Sequence, residues 1–506
     1  MPQPRPRVSR NCGNCRAIKR RCDQQRPQCG QCTRLGEQCR GYRDPWELVF
    51  RDQTNRTIQR SRIHATRPQS PSAAAPTEMV HSPLPPPNPC PNMDQIGVNY
   101  FLHHFVTDDH SPSRGYLKYI PATLGANDDH PSLVASLAAV GLGALANSGH
   151  QPELARQARL KYAEAIRSVN AALASPVESV KDSTLMAVIS LGVFEHFSQF
   201  DSWVRHVEGA AALAVLRGRD QFARSPLAIL LFTQVRTDMI IACTRLSRPF
   251  PDDLRKLQEE ATKHVDPANA IWHIGILATW CVDLLARVMK NPDPALWPEI
   301  LAAALALRQD FQRGMDMLAV QEPYFTATTN ELMMAGLLAE RHSRLIYADR
   351  TDLYPSVWSI RAWNNARCIQ IILCEVICYL LKSLLAREVA APAACVQLRQ
   401  QQLYETREIL SRLSEDVLAT VPQAMGIVSS PSSPFEFSAN NPSPGTSVSG
   451  AYMLIWCLYM AGISEATAGR ARKWIIQRFQ EIVQVSGIEL ASPLLAEVMK
   501  KDQTSR

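Results

Sequence analysis

Six cysteines with a duplicated spacing lie near the start of the 506-residue chain. They follow the pattern C-x2-C-x6-C-x6-C-x2-C-x6-C and are Cys12, Cys15, Cys22, Cys29, Cys32 and Cys39. A C-x2-C pair lets two thiolates converge on one soft cation, and Zn²⁺ prefers four such ligands in a tetrahedron. Two zinc ions need eight ligand positions, which six sulfurs fill only if two of them bridge. The spacing therefore predicts one closed cluster of six thiolates and two Zn²⁺ ions.

A basic segment lies between the second and third cysteines of this cluster. Its cationic residues are Arg16, Lys19, Arg20 and Arg21. Six thiolates and two zinc ions together carry a net negative charge, and these side chains offset it. A basic segment that metal holds rigidly is also suited to bind nucleic-acid phosphates. The sequence therefore predicts that these four residues contact DNA.

Two other interpretations fit the cysteines when they are taken alone. Three disulfides in any of fifteen pairings would suit a small secreted domain, and a zinc cluster could instead support a protein-binding or RNA-binding fold. The disulfide interpretation is disfavoured because no apolar signal segment precedes the cluster and the other eight cysteines are scattered. The basic segment favours a DNA-binding cluster over the other zinc-cluster interpretation. A catalytic zinc site must leave one coordination position open, and the predicted cluster leaves none.

The charge of the chain is concentrated at its amino-terminal end. Residues 1–67 contain 16 of the 54 Lys and Arg residues but only 5 of the 47 Asp and Glu residues, which leaves 38 and 42 for residues 68–506. A basic excess confined to one module is typical of a nucleic-acid-binding protein. The remainder has the composition of an ordinary, slightly acidic globular body.

Two runs of sequence in the cysteine-rich module resemble a known family. They are CGNCRAIKRRCD at residues 12–23 and PQCGQC at residues 27–32, and they are similar to the fungal binuclear zinc cluster DNA-binding domain. That family consists of nuclear transcription factors of fungi. The resemblance implies that Cys12 and Cys29 are the bridging thiolates. It also implies two ligand sets: Cys12, Cys15, Cys22 and Cys29 for one zinc, and Cys29, Cys32, Cys39 and Cys12 for the other.

The same resemblance implies how the module binds DNA. The short helix after Cys12 is expected to enter the major groove, and Lys19 is expected to reach the guanine edges of a CGG-type triplet. Arg16, Arg20 and Arg21 match basic positions that mostly contact phosphate. Ile18 departs from the family, because Lys or Arg usually occupies its position, and this departure puts the identity of the half-site in doubt.

The rest of the chain predicts a linker and a large helical body. Residues 68–93 are rich in proline and predict a flexible linker. Residues 94–500 show helical periodicity without alternating strand patterns, apart from a Ser-, Pro- and Asn-rich insert near 429–449. Charged residues interrupt the most apolar stretch, residues 369–385, which therefore predicts a buried helix rather than a membrane span. The predicted fold is thus a two-zinc cysteine cluster domain with two short helices (1–67), a flexible linker and an all-α domain.

A second stretch resembles the helical regulatory domain of fungal zinc cluster factors. It includes TLMAVISLGVFE at residues 184–195, Trp203, HVEGAA at residues 206–211 and the Arg217–Gly218 pair. The resemblance implies a domain that regulates activity, dimerises or senses a metabolite, and it implies no catalytic residues.

Three other signals are weak evidence of a functional site. The GLGALA string at residues 141–146 lacks the preceding strand and following acidic residue of a dinucleotide site, so we expect close helix packing there. His103 and His104 have no carboxylate partner at ligand spacing. Cys374 and Cys378 share one face of an apolar helix and are expected to be buried thiols. No constellation typical of an enzyme remains.

The sequence therefore predicts a nuclear, sequence-specific transcription factor of RNA polymerase II genes that recognises CGG-type triplets. Its expected cofactor is a pair of Zn²⁺ ions. Its expected partners are double-stranded DNA, the transcription machinery and a second copy in a homodimer, with no membrane. The alternative is a zinc-scaffolded co-regulator or protein-interaction factor that binds DNA only non-specifically.

Overall fold

The computed structural model describes residues 11–25, 28–41, 92–106, 116–125, 130–195, 200–290, 293–387, 392–428, 448–486 and 491–504. The chain divides into two compact units, Met1–Pro87 and Asn88–Arg506. Residues 42–67 of the predicted cluster domain, nearly all of the predicted linker and most of the predicted insert near 429–449 lie outside the described residues.

The amino-terminal unit contains two short helices, α1 (Gly13–Ala17) and α2 (Gly30–Arg34). Each begins directly after a cysteine of the cluster, and each carries one wholly buried cysteine in its middle. Helices of five residues are not stable on their own, because helix nucleation is unfavourable. Contacts outside the helices must therefore fix them, and the cysteine side chains provide these contacts.

The second unit is a helical body, as the sequence predicts. Its first eight α-helices are α3 (Met93–Phe105), α4 (Ile120–Gly125), α5 (Pro131–Ser148), α6 (Pro152–Ala174), α7 (Asp182–Glu195), α8 (Phe200–Leu216), α9 (Gln221–Arg224) and α10 (Pro226–Leu246). The next five are α11 (Asp252–Thr262), α12 (Ala270–Lys290), α13 (Trp297–Gln321), α14 (Thr329–Met334) and α15 (Val357–Arg387). The last four are α16 (Ala393–Ala424), α17 (Val448–Ile463), α18 (Gly469–Ser486) and α19 (Ala491–Thr504).

Short 3₁₀ helices and one small sheet complete the body. The 3₁₀ helices are Tyr116–Tyr119, Glu178–Val180, Pro294–Leu296 and Glu340–Leu345. Strands β1 (Phe325–Ala327) and β2 (Thr351–Leu353) pair antiparallel, with Phe325 opposite Leu353. The sequence pattern did not indicate this hairpin, because three residues are too few to show a strand period.

Local sequence signals explain several helix starts. Proline occupies the first turn of α5, α6 and α10, where its missing N–H costs no hydrogen bond. By residue type, Asp94 is a plausible N-cap for α3. The N-cap is instead Asn92, whose side chain accepts hydrogen bonds from the amides of Asp94 (3.0 Å) and Gln95 (3.4 Å). Both residue types favour this position, so composition alone does not separate them.

One large hydrophobic core joins helices from α3 to α19, and a smaller cluster lies beneath the hairpin. The longest helices, α15 and α16, pack against each other, and α5 is packed by α3, α6 and α7. This packing leaves α5 and α15 with buried residues around most of their circumference. Such helices show little amphipathic contrast, because every face contacts another helix.

In the part of the chain that the structure describes, four helices are long and apolar enough to cross a membrane by length and composition alone: α5, α10, α12 and α15. Within the protein, 72% of the most apolar window is buried in α5 and in α15, and 56% in α10 and in α12. The apolar stretch at residues 369–385 lies within α15, where the neighbouring helices of the body cover it.

A close crossing of α3 and α5 explains the glycine-rich string at residues 141–146. A Cβ atom at Gly141 would lie 1.8 Å from the carbonyl oxygen of Gly97, and one at Gly97 would lie 2.4 Å from that of Ala138. The two backbones therefore touch at this point, and only glycine fits on each side. The string serves helix packing, in agreement with the interpretation from sequence.

Gly141→Ala is expected to lower the free energy of unfolding of the body by about 1–3 kcal/mol, because the new methyl group must push α3 and α5 apart. Gly209→Ala is the matched control. Gly209 lies in α8 with no neighbouring atom within 4 Å of its Cβ position, and alanine there is expected to stabilise the helix by up to about 1 kcal/mol. Thermal unfolding followed by circular dichroism measures both variants. Equal shifts in the same direction would contradict the close crossing.

Candidate metal centre and nucleic-acid interface

The sulfur atoms of the amino-terminal unit form a compact cluster. The Sγ atom of Cys12 lies 3.6 Å from that of Cys29 and 3.8 Å from that of Cys32, and the Sγ atoms of Cys15 and Cys29 are 3.7 Å apart. These four side chains are fully buried. Cys22 and Cys39 are half-buried and pack against them.

The sulfur spacing fits zinc and excludes disulfides. Two sulfurs that each lie about 2.3 Å from one tetrahedral zinc are separated by about 3.8 Å. A disulfide would instead require about 2.05 Å. The observed distances of 3.6–3.8 Å match the first value. The six cysteines are therefore positioned to hold two zinc ions.

Cys12 and Cys29 occupy equivalent and central places in this cluster. Beyond its contact with Cys29, the Cys12 side chain interacts with Cys32 and Cys39 of the second half of the motif. The side chain of Cys29 in turn interacts with Cys15 and Cys22 of the first half. Each of these two sulfurs therefore has contacts with cysteines of both halves.

The duplicated spacing in the sequence produces duplicated local structure. Cys12 caps α1 by accepting a hydrogen bond from the amide of Cys15, and Cys29 caps α2 by accepting one from the amide of Cys32, each at 3.4 Å. The same thiolates thus satisfy free N–H groups at the helix starts and lie where they can bind metal. Thiolates also interact favourably with the positive end of a helix dipole.

Hydrogen bonds at the edge of the cluster join the two halves. Asn14 in α1 donates to the carbonyl of Gln38 (3.0 Å) and accepts from the amide of Arg40 (3.1 Å). The carboxylate of Asp23 accepts from the amide of Gly30 at the start of α2 (3.0 Å). The sequence did not single out these residues, because an isolated Asn or Asp near cysteines carries no specific signal.

Burial and local hydrogen bonds shift the pKa values of the thiols in opposite directions. Burial is the largest cause that raises the pKa of Cys12 well above the ordinary value, and burial raises that of Cys32 to about 12. Burial opposes ionisation of Cys22 too, but hydrogen bonds from the amides of Cys12 and Gln24 bring its pKa down to about 7. Zinc binding must therefore displace protons from the most buried thiols, so that zinc affinity falls with acidification.

The guanidinium group of Arg20 contacts both halves of the cluster. Its Nε donates to the sulfur of Cys15 (3.5 Å), and its Nη2 donates to the sulfur of Cys32 (3.6 Å) and to Glu37 (2.9 Å). Arginine in this position offsets the negative charge of the thiolates and fixes their orientation. This arrangement favours a role within the module over the phosphate contact that the sequence predicts for Arg20.

Lys19 lies at the C-terminal end of α1 with an unusual backbone conformation. Its φ angle is +54°, in the left-handed region that favours glycine. The amide of Lys19 donates to the carbonyl of Arg16 (3.3 Å), and the amide of Arg20 donates to the carbonyl of Cys15 (2.7 Å). This is the hydrogen-bond pattern of a Schellman cap, and its left-handed residue is usually glycine.

The second half of the module has the same cap with glycine at the equivalent place. Gly36 has a φ angle of +65° and donates to Thr33 (3.2 Å), while Glu37 donates to Cys32 (3.0 Å). Lys19 is therefore the counterpart of Gly36. A long cationic side chain stands where the fold itself favours glycine, and strain of this kind points to a function.

The remaining basic residues differ in the exposure of their side chains. Arg16 is half-buried and donates from Nη1 to the carbonyl of Asn11 (3.3 Å). The side chains of Lys19 and Arg21 are exposed. Ile18, the residue that departs from the family pattern, is 63% exposed next to Lys19.

In the body, the stretch that resembles a regulatory domain supplies structural polar contacts. Arg217 pairs with Asp182, whose second carboxylate oxygen accepts a hydrogen bond from Ser225 (2.7 Å). Tyr162 donates to Glu195, and its hydroxyl lies 2.9 Å from Nε2 of His206. These contacts link α6, α7, α8 and α10, so the polar residues of the stretch hold helices together.

The other signals from the sequence also lie in structural settings. Cys374 and Cys378 are buried in α15, where burial raises their pKa values to about 12 and about 11. Thiols of this kind are unreactive. Within the described residues, the groups of three or more Cys, His, Asp or Glu side chains that could hold a metal all lie in the amino-terminal unit.

Comparison with known proteins agrees with this geometry. Residues 10–47 match the fungal Zn(2)-Cys(6) binuclear cluster domain, and residues 98–289 match the fungal specific transcription factor domain. These are families of transcription factors and not of enzymes. No curated protein and no solved structure gives a significant match to the chain. The cysteine geometry and the two matched domains together support a fungal transcription factor that contains a Zn(2)-Cys(6) binuclear cluster domain, which binds two zinc ions.

Proposed function

We propose that this transcription factor recognises CGG-type triplets, with α1 in the major groove and Lys19 at the guanine edges. The observation that carries the proposal is the exposed lysine at a left-handed cap position, where the equivalent residue of the second half is Gly36. Lysine donates to the O6 and N7 acceptors of guanine, which distinguish a G·C pair in the major groove. A strained backbone at this point is accounted for if the side chain has a recognition role.

Cys12 and Cys29 are the bridging ligands in this proposal. One zinc is held by the set Cys12, Cys15, Cys22 and Cys29, and the other by the set Cys12, Cys29, Cys32 and Cys39. The scheme is supported by the contacts of the two central sulfurs with both halves of the motif. It also gives each ion four sulfurs, as a closed structural site requires.

Arg16 and Arg21 contact phosphates and supply affinity without sequence preference. The excess of positive charge in residues 1–67 acts in the same way, so affinity falls steeply with salt. Arg20 supports the cluster from within, because its guanidinium already binds two sulfurs and Glu37.

The protein acts in the nucleus on RNA polymerase II genes. Its helical domain contacts the transcription machinery and forms a homodimer.

Lys19→Gly separates recognition from folding. We expect it to reduce the preference for CGG-containing over scrambled DNA by about 1–3 kcal/mol, because the base contact is lost. The same change should keep or raise the stability of the module, because glycine relieves the positive φ angle by up to about 1 kcal/mol. Fluorescence anisotropy with both duplexes measures the preference, and zinc content reports the integrity of the module.

Arg21→Ala is the control for this prediction. It should weaken binding to cognate and scrambled DNA by the same factor and reduce the salt dependence of binding, because a phosphate contact carries no sequence information. If Lys19→Gly instead weakens both duplexes equally, Lys19 does not read bases.

Selection from random duplexes with the full chain tests the proposed function as a whole. Enrichment of CGG-containing sites supports it, and a fixed spacing between two triplets would show that two chains bind together. A pool that stays random would support the alternative, a zinc-scaffolded co-regulator that binds DNA non-specifically.

A further inference from the structure

A largely apolar pocket lies within the helical body, between α10, α12, α15 and α17. Its cavity volume is about 70 Å³. Its walls include Ile240, Ile274, Ala278, Ile369 and Trp456. An apolar lining with a few polar groups is typical of sites for small organic molecules, and the volume suits a molecule of only a few non-hydrogen atoms.

A buried cation, Arg236, forms part of the wall of this pocket. It is 1% exposed, and its guanidinium lies 4.1 Å from the ring centre of Trp272. Its one hydrogen bond to a described residue runs from Nη1 to Oε1 of Gln258 (3.3 Å). No carboxylate of the described residues lies within 4.0 Å of it, and its Nε has no partner among them.

Other buried arginines in the body are provided with acceptors. Arg217 pairs with Asp182, and Arg367 lies 4.0 Å from Asp352 and donates to the hydroxyl of Tyr354 (2.8 Å). An unpaired buried charge is costly, because burial removes its hydration without replacing it. The neutral amide of Gln258 and the face of Trp272 compensate this cost only in part.

A glycine in α12 leaves space for the guanidinium group of Arg236. A Cβ atom at Gly275, another residue of the pocket wall, would lie 2.1 Å from Nη2 of Arg236. Glycine is therefore required for the guanidinium to lie against α12. Burial lowers the pKa of Arg236 to about 9, so that the side chain still carries its charge at neutral pH. A charge kept in an apolar pocket at this cost needs a counter-ion.

We propose that the pocket binds a small apolar molecule with a carboxylate group, which pairs with Arg236. The Nε and Nη2 atoms have no acceptor among the described residues. They form one edge of the guanidinium, and a carboxylate accepts two parallel hydrogen bonds from such an edge. The apolar part of the ligand lies among the isoleucines and Trp456. A pocket of this size holds roughly five to seven non-hydrogen atoms, since one water-sized group needs about 10–15 Å³.

The test uses the full chain and calorimetric titration. The probes are straight-chain carboxylates of about two to five carbons, each compared with its primary amide, which has the same shape without the charge. At least one carboxylate should bind at least tenfold more tightly than its amide, because hydrogen bonds between charged groups are stronger than neutral ones. If no carboxylate of the panel binds, or if every amide binds as well as its acid, the proposal is wrong.

Two variants locate the site. Arg236→Met removes the charge at similar volume and should abolish the preference for the carboxylate, while its melting temperature stays at or above that of the parent chain. Ala362→Leu fills part of the pocket with Arg236 intact and should weaken acid and amide alike. A carboxylate preference that survives in Arg236→Met, or binding unchanged in Ala362→Leu, would exclude this pocket. Neither result bears on DNA recognition, which depends on the amino-terminal unit.

Discussion

Cys29→Ser is expected to remove both zinc ions and to unfold the amino-terminal unit. In the proposed scheme, Cys29 serves both ions, so neither keeps four sulfurs after the change. The two helices of the unit have five residues each, and among the described residues of the unit no apolar core is present apart from the cysteines. Structural zinc supplies about 10–16 kcal/mol of folding free energy in small zinc modules, and no other term in this unit approaches that value. Specific DNA affinity should therefore fall by roughly a thousandfold or more.

Zinc per chain, measured by elemental analysis or native mass spectrometry, checks this prediction. Cys39→Ser removes a ligand of one ion only and should leave at least one zinc per chain. Cys395→Ser changes an exposed cysteine of the body and should leave two. If Cys29→Ser still holds two zinc ions, the bridging scheme is wrong. If chelation leaves the DNA affinity of the parent chain unchanged, zinc does not organise the binding surface.

The metal cluster was predictable because the type and spacing of its ligands can be read directly from the sequence. Six residues of one type at a repeated spacing leave few geometries, and the sulfur distances agree with the one predicted. The roles of the basic residues were harder to predict, because a sequence shows which side chains are charged but not which way they point. Arg20 and Arg21 are adjacent and alike, yet the first turns toward the sulfurs and the second toward solvent. The left-handed backbone of Lys19 has no signal in the sequence. It appears only in the structure, where the equivalent residue of the second half is Gly36.

In the body, helical periodicity predicted the long elements well. The periodicity of residues 226–246 and 356–387, for example, predicts two helices, and α10 and α15 match these ranges to within one residue. The hairpin was missed because its strands are three residues long and are held by partners distant in sequence. Buried charges such as Arg236 and Asp352 could not be found either. A charged residue in the sequence predicts exposure, and only tertiary contacts reveal an exception.

Asp352→Asn is expected to lower the free energy of unfolding of the body by about 3–5 kcal/mol. Asp352 is fully buried in β2 and accepts hydrogen bonds from Nε and Nη2 of Arg350 (3.0 and 2.8 Å) and from Thr326 (2.8 Å). It is also the nearest carboxylate to Arg367, at 4.0 Å, and Arg367 is 1% exposed. Asparagine keeps the volume but removes the charge, which leaves the buried Arg367 without a carboxylate within 4.0 Å among the described residues.

The loss should exceed that of an ordinary ion pair because the network joins distant parts of the body. Arg350 also pairs with Asp416 of α16 (2.8 Å), and Arg367 lies in α15, so the hairpin is tied to both long helices. Urea unfolding followed by tryptophan fluorescence measures the effect. Glu153→Gln, which breaks an exposed pair with Arg156, is the control and should leave the midpoint unchanged. If Asp352→Asn behaves like this control, the charge of Asp352 does not stabilise the body. The charge of Arg367 must then be compensated by its hydrogen bond to Tyr354 and by the aromatic rings around it.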